Sequence, residues 1–279
     1  MIQQVLKKSV SLVPWRLRGV VKRIPLVAPL QRRLLAKFLE GREFVHIVDA
    51  GPARGLKYPI TLPDDKGIWT GTYEVELATA IAGAVRRGDV CFDCGGWHGF
   101  FSGVMALAGA SQVFVFEPLP ANVAQLRKMI ALNPGLPISL IEAAVTEQTG
   151  SLEFVVMPES SMGKLTASSF QQKHQDGQKI QVRAVALDAL LAAGEVQPPA
   201  VMKIDVEGAE LMLLRGARNL LAKHRPKLFM EVHSSELARD CRAFLEQLGY
   251  EIRVLQEAGR EVCHFHAVAT NAGNATLQS

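Results

Sequence analysis

The chain has 279 residues, 48% of them hydrophobic, which is enough for one large domain with a sizeable core, and its formal charge is +4. The charge is lopsided: ten Lys and Arg but only Glu40 among the acids fall in residues 1–42, an arm of +9 that leaves −5 for the rest. A mildly acidic body argues against a broad nucleic-acid-binding face, and no apolar run reaches the roughly 18 residues of a transmembrane helix.

In the arm, Leu6, Val10, Val13, Leu17, Val20 and Ile24 recur at spacings of three and four. That is helical periodicity, interrupted at Pro14 and Pro25, with a second short helix expected over 30–39. Basic charge beside an apolar stripe suits peripheral membrane contact through residues 1–42. The same stripe suits packing on the body or on a second copy in a homo-oligomer, and both readings stay open. No apolar h-region with a small-residue cleavage site follows the charges, so no secretory signal is expected. The four cysteines, Cys91, Cys94, Cys241 and Cys263, do not form a disulfide framework. A cytoplasmic protein, at most peripheral to the membrane, is the expectation.

Residues 43–88 read as a pre-domain segment, with strands at 44–48 and 56–62 about a Gly51-Pro52 turn and a helix over 73–85. From Asp89 strand and helix alternate. Strands are predicted at 90–93, 112–117, 138–143, 200–205, 227–233, 251–255 and 262–268, and helices at 101–107, 121–132, 211–221 and 236–248. Gly109 and Gly249 stand where helix C-caps belong. The alternation predicts a Rossmann-like α/β domain over 89–268, with a mostly parallel sheet and helices on both faces. An irregular insert over 150–185 is expected to hold one strand, 152–157, and a Ser/Gln-rich loop. The small, polar tail, 269–279, is expected to be disordered.

Four segments carry the chemistry. Cys91-Phe92-Asp93-Cys94-Gly95-Gly96-Trp97-His98-Gly99 is a strand end, a glycine turn and a helix start. In an open parallel sheet that is where nucleotide-like ligands sit. The spacing is not G-x-G-x-x-G and no phosphate-loop motif occurs, which disfavours a nucleotide-dependent oxidoreductase. Glu117 ends the next strand, before Pro118, where a carboxylate can accept hydrogen bonds from both ribose hydroxyls; Asn122 follows on the next helix. Lys203-Ile204-Asp205-Val206-Glu207-Gly208-Ala209-Glu210 and Met230-Glu231-Val232-His233 bring further polar groups to the same sheet edge. Helix capping competes for Glu207 and Glu210. Cys91 and Cys94 form a CxxC on a buried strand and read as core.

These segments, with Gly51-Pro52-Ala53-Arg54-Gly55-Leu56, Trp69-Thr70-Gly71-Thr72-Tyr73-Glu74, Glu142-Ala143-Ala144-Val145 and Leu187-Asp188-Ala189-Leu190, resemble the FkbM-type methyltransferases over roughly residues 50–268. The resemblance implies a class I methyltransferase fold and methyl transfer from S-adenosyl-L-methionine to a hydroxyl of a sugar, glycolipid or other natural product. It implies that Asp93, Gly95, Gly96 and Gly99 shape the methionine pocket, that Glu117 holds the ribose, that Ala143 and Ala144 line the adenine, and that Tyr73 and Glu74 close the pocket. Where that family often has Gly-Ala-Asn, this chain has Gly95-Gly96-Trp97.

A sulfonium methyl is already activated, so the enzyme must align the acceptor and remove its proton. His233 is the first choice of base because an imidazole titrates near neutral pH. Asp205 is the second, with Glu231 as the group that fixes the imidazole tautomer. This reading assigns no metal, and a metal site using Asp205, Glu231 and His233 stays open as an alternative. A catalytically inactive scaffold that works through the basic arm is the rival from outside enzymology.

Overall fold

The computed structural model describes residues 43–156, 163–165, 178–258 and 262–269. The arm 1–42, most of the Ser/Gln-rich loop and the tail 270–279 lie outside them. The chain opens with a hairpin of β1 (Glu43–Ile47) and β2 (Lys57–Thr61), then α1 (Lys66–Thr70) and α2 (Val75–Ala84). The first half of the main sheet follows: β3 (Val90–Cys94), α3 (Phe100–Leu107), β4 (Gln112–Phe116), α4 (Pro120–Leu132) and β5 (Ile138–Ile141). After the insert come β10 (Val201–Ile204), α6 (Glu210–Gly216), α7 (Arg218–His224), β11 (Lys227–Val232), α8 (Ser235–Gln247), β12 (Tyr250–Ala258) and β13 (Val262–Ala269).

These strands form one seven-stranded sheet in the order β12-β13-β11-β10-β3-β4-β5. The five strands from β11 to β5 are parallel, and β13 runs antiparallel between β11 and β12. The sheet is Rossmann-like, mostly parallel with helices on both faces, as the alternation of strand and helix predicts.

Side-chain alternation along each strand divides the core in two. Cys91, Val113, Val115, Val201 and Phe229 pack with Ile81, Val104, Met105, Leu126 and Met129 on one face. Phe92, Phe116, Met202, Ile204 and Met230 pack with Leu213, Leu214, Leu221 and Leu245 on the other. Central strands buried on both faces must be apolar throughout, as VCFDC and VMKI nearly are. Their polar exceptions, Asp93 and Lys203, belong to the site. At the rim, α8 is amphipathic: Leu237, Cys241 and Leu245 are buried at spacings of four, and the Ser234 hydroxyl caps it by accepting from Leu237 N at 3.1 Å.

The structure departs from two sequence expectations. The insert is a second sheet, not a loop with one strand. β6 (Ala144–Val145), β7 (Gly150–Val156), β8 (Gly163–Leu165) and β9 (Gln178–Val185) pair in the order β6-β9-β7-β8. The signal lay in β9, where Ile180, Val182 and Ala184 alternate with polar residues. The helix expected over 211–221 is broken at Ala217 into α6 and α7. Gly216 lies so close to Thr146 that an added Cβ would sit 2.1 Å from its carbonyl oxygen. A short helix, α5 (Leu187–Ala192), presents Asp188 to the start of α7, where its carboxylate accepts from Asn219 N and Leu220 N at 2.9 and 2.8 Å. Among the described residues no helix is long and apolar enough to cross a membrane.

Candidate active site

Four neighbouring parallel strands end side by side, and each delivers a functional group one residue past its end. Gly95 follows β3, Glu117 follows β4, Asp205 follows β10 and His233 follows β11. Strand ends in this topology leave a crevice beyond the carboxyl edge of the sheet. Here it is a cavity of about 330 Å³, within the range of small-molecule sites.

The floor is the glycine turn. Gly95 N and Gly96 N both donate to Phe116 O at 3.0 Å, which carries the β3–β4 pairing past the strand ends. Gly95 has φ +82°, and a Cβ there would lie 1.7 Å from Asp205 O, so the position admits glycine alone. Trp97, the departure from the related pattern, has φ +47°. Its ring stacks between Tyr73 at 5.9 Å and His98 at 4.1 Å, while its backbone N–H donates to Glu117 Oε2 at 2.9 Å.

Glu117 is buried and three donors already hold it: Trp97 N on Oε2, and Leu119 N and Asn122 Nδ2 on Oε1 at 3.0 and 3.2 Å. Burial pushes its pKa up to about 7 against the pull of those bonds. Ala143, Ala144, Leu119 and Phe154 form an apolar wall beside it.

Lys203 enters the opposite end through the sheet. Its ammonium donates to Gly95 O at 2.8 Å and Asp205 Oδ2 at 3.1 Å, and lies 3.8 Å from Asp93 Oδ1. Burial disfavours its charge, but Asp205 and Asp93 outweigh that and hold its pKa above the usual lysine value. Asp93 is fully buried, accepts from Ser102 Oγ at 2.6 Å, and burial raises its pKa.

His233 sits among four carboxylates. Nδ1 pairs with Glu210 Oε1 at 2.9 Å, and Nε2 lies 3.4 Å from Glu207 Oε2 and 3.7 Å from both Asp205 Oδ1 and Glu231 Oε1. Burial works against the imidazolium, but Glu210, Asp205 and Glu207 outweigh it and raise the pKa to about 9. Glu207, held at φ +52°, has its pKa raised to about 7 by burial and then by Asp205.

Of the residues singled out from the sequence, Tyr73, Gly95, Gly96, Glu117, Asn122, Ala143, Ala144 and Asp205 line the cavity. Asp93 and Gly99 stand behind the glycine turn: Asp93 anchors Lys203 and Ser102, and a Cβ at Gly99 would strike Leu126 and Met129. Glu74 is exposed at the start of α2, in the left-handed conformation, away from the cavity wall. His233 is buried against Asp205 and Glu207, which line the wall, and Glu231 lies beside its Nε2. The residue that fixes the imidazole is Glu210, from α6, where sequence reasoning chose Glu231 from the histidine's own strand. Lys203, Glu207 and Glu210, which the sequence places at the same sheet edge without a catalytic or cofactor role, prove to be functional neighbours. Their signal was a lysine inside an apolar strand and two acids after it. Cys91, Cys94 and Cys241 are buried free thiols, as a core role requires.

A buried carboxylate set between an apolar wall and an acidic end suits a ligand with a flat base, a vicinal diol and a cationic end. S-adenosylmethionine has all three, so the residues present fit it.

The methyltransferase FkbM domain family matches this chain over residues 87–252. The hexuronic acid methyltransferase AglP of Haloferax volcanii is 28% identical over 174 residues, which cover 62% of this chain and 68% of that protein. Among solved structures, the methyltransferase FkbM of Methylobacillus flagellatus superposes with a TM-score of 0.46 at 17% identity, covering 74% of this chain. This chain spans only 56% of that one. TYW2 of M. jannaschii, solved with AdoMet, has a TM-score of 0.46 at 13% identity and covers 82% of this chain and 84% of that one. With the family match spanning more than half of its residues, the chain belongs to the FkbM methyltransferases and is an S-adenosylmethionine-dependent enzyme.

Proposed function

We propose that the protein O-methylates a hydroxyl of a sugar, glycolipid or sugar acid. The observation that carries this reading is the pair Asp205 and Glu207 on the cavity wall, backed by the buried His233. Paired carboxylates bind and orient a polyhydroxylated acceptor and can take a hydroxyl proton. The hexuronic acid specificity named for the Haloferax volcanii relative supports the same acceptor class. Bound S-adenosylmethionine supplies an activated methyl, so the protein's own residues need only position, dehydrate and deprotonate. Glu117 and Asn122 take the ribose, Ala143 and Ala144 the base, and Gly95 and Gly96 let the backbone approach. Tyr73, Trp97 and Phe101 exclude water from the transfer end. The acceptor proton passes to the Asp205–Glu207 pair, because these carboxylates reach the cavity and the imidazole does not. His233 acts through them as a positioning residue.

The test is transfer of isotopically labelled methyl from S-adenosylmethionine to uronic acids, neutral hexoses and lipid-linked sugars. Alkali-stable label on a sugar is expected, since methyl ethers resist mild base. Label removed by alkali would mean carboxyl ester formation, and label on none of the sugars would refute the acceptor class.

Cofactor recognition gives a separate prediction. Glu117→Gln keeps the size of the side chain but loses an anionic acceptor, which costs roughly 1.5–3 kcal/mol for hydrogen bonds to a charged group. Titration calorimetry is expected to show S-adenosylmethionine binding about ten- to a hundredfold weaker in this variant, and no NAD binding by either form. The wild-type affinity is also expected to rise with pH through about 7, because the diol needs Glu117 ionised and burial holds its proton up to that value. Equal affinity in wild type and variant would remove Glu117 from the ribose.

A further inference from the structure

Among the described residues, one group of metal-capable side chains converges: Asp205, Glu207 and His233 offer ligand atoms that all lie within 4.8 Å of one another. The group is more than an acidic cluster, because the histidine is buried and aimed. His233 is 5% exposed, and its Nδ1 is tied to Glu210, itself 0% exposed. Nε2 is thereby turned toward the oxygens of Glu207, Asp205 and Glu231 at 3.4, 3.7 and 3.7 Å. These separations exceed a good hydrogen bond of about 2.9 Å. The Glu207 separation falls within, and the other two just beyond, the roughly 3–3.5 Å between neighbouring ligands about one ion for bonds of about 2.1–2.5 Å at right angles. A carboxylate behind the far nitrogen is the usual support of a metal-binding histidine.

Charge and satisfaction point the same way. Glu210 Oε1 accepts from Gly208 N at 3.0 Å and pairs with Nδ1, whereas Oε2 is buried with no hydrogen-bond partner, so positive charge held at the imidazole stabilises that carboxylate. The described contacts gather four carboxylates, Asp205, Glu207, Glu210 and Glu231, around His233 and Lys203. A divalent cation on Nε2 answers both demands.

We infer that Asp205, Glu207 and His233, with Glu231 alongside, form a site for a divalent cation of the Mn²⁺ or Mg²⁺ class at the acceptor end of the cavity, with Glu210 as the positioning residue for the histidine. Carboxylate-rich sets with one imidazole favour such ions over thiophilic ones. The ion's role rests on the proposed acceptor class: it binds two neighbouring acceptor oxygens and acidifies the hydroxyl that loses its proton to the carboxylates. The site itself rests on the geometry alone.

The experiment is Mn²⁺ titration of the chelator-treated full chain, read by the electron paramagnetic resonance signal of free Mn²⁺, without cofactor or acceptor. One Mn²⁺ per chain is expected, displaced by Mg²⁺, with affinity at least about tenfold weaker in Glu207→Gln and in His233→Gln. Glu210→Gln is expected to weaken it by about 10–100-fold, as outer-shell changes do. Glu207 is partly exposed, so its variant keeps the test decisive if the histidine variant fails to fold. No Mn²⁺ uptake by the wild type, or equal uptake by wild type and Glu207→Gln, overturns the site. The acceptor assay reads methyl transfer independently, so failure of either proposal is visible without the other.

Discussion

Asp205→Asn is expected to lose roughly 10²–10⁴-fold of the methyl-transfer rate, the range for removing a positioned proton acceptor. Asp205 is the group best placed for the role. It stands at the tip of β10 on the cavity wall, Lys203 grips its Oδ2 at 3.1 Å, and its Oδ1 faces the imidazole. Asparagine keeps the shape but cannot take a proton. Single-turnover rates at saturating cofactor, with cofactor affinity measured alongside, isolate the effect. His233→Gln is expected to lose less, because the imidazole stands behind Asp205 and Glu207 and acts through them. If the histidine variant is the more damaged while Asp205→Asn turns over near the wild-type rate, the imidazole is the base.

Lys203→Met is expected to destabilise the fold by about 3–5 kcal/mol, the cost of removing one partner from a buried ion pair. The ammonium is 5% exposed and joins three elements: the glycine turn through Gly95 O, β3 through Asp93, and the end of β10 through Asp205. Methionine fills similar volume, so the loss is one of charge and hydrogen bonds rather than of packing. Asp93 Oδ1 accepts no hydrogen bond and would be left as an uncompensated buried carboxylate. Urea denaturation measures the cost. The double variant Lys203→Met with Asp93→Asn is expected to recover part of it, since the orphaned charge goes too. A single-variant change below about 1 kcal/mol would show that the lysine does not hold the site together.

Glu117 and the glycine turn were legible in the sequence because their signals are local. A strand end followed at once by a turn that requires positive φ, and a carboxylate just before proline at the next strand end, can each be read within a few residues. The His233 environment was only half legible. His233 and Asp205 could be placed at strand tips, yet the imidazole's partner proved to be Glu210, 23 residues away and on another element. Which carboxylate meets a histidine depends on how α6 packs against the end of β11, and no spacing rule encodes that.

The sequence by itself determined the α/β class, the strands of the central sheet and the residues at four strand tips. Buried parallel strands must be apolar, and polar residues that interrupt them mark function. It determined the family too, through the Lys203–Glu210 block and its companions. Tertiary structure alone decided which groups touch the cavity. It set Asp93 and Gly99 behind the wall, brought Phe154 to it from the small second sheet, and placed Asp205 and Glu207 between the imidazole and the cavity. The reason is physical: local chemistry fixes where a chain turns and which face it buries, whereas contacts between separate elements follow from how their side chains pack.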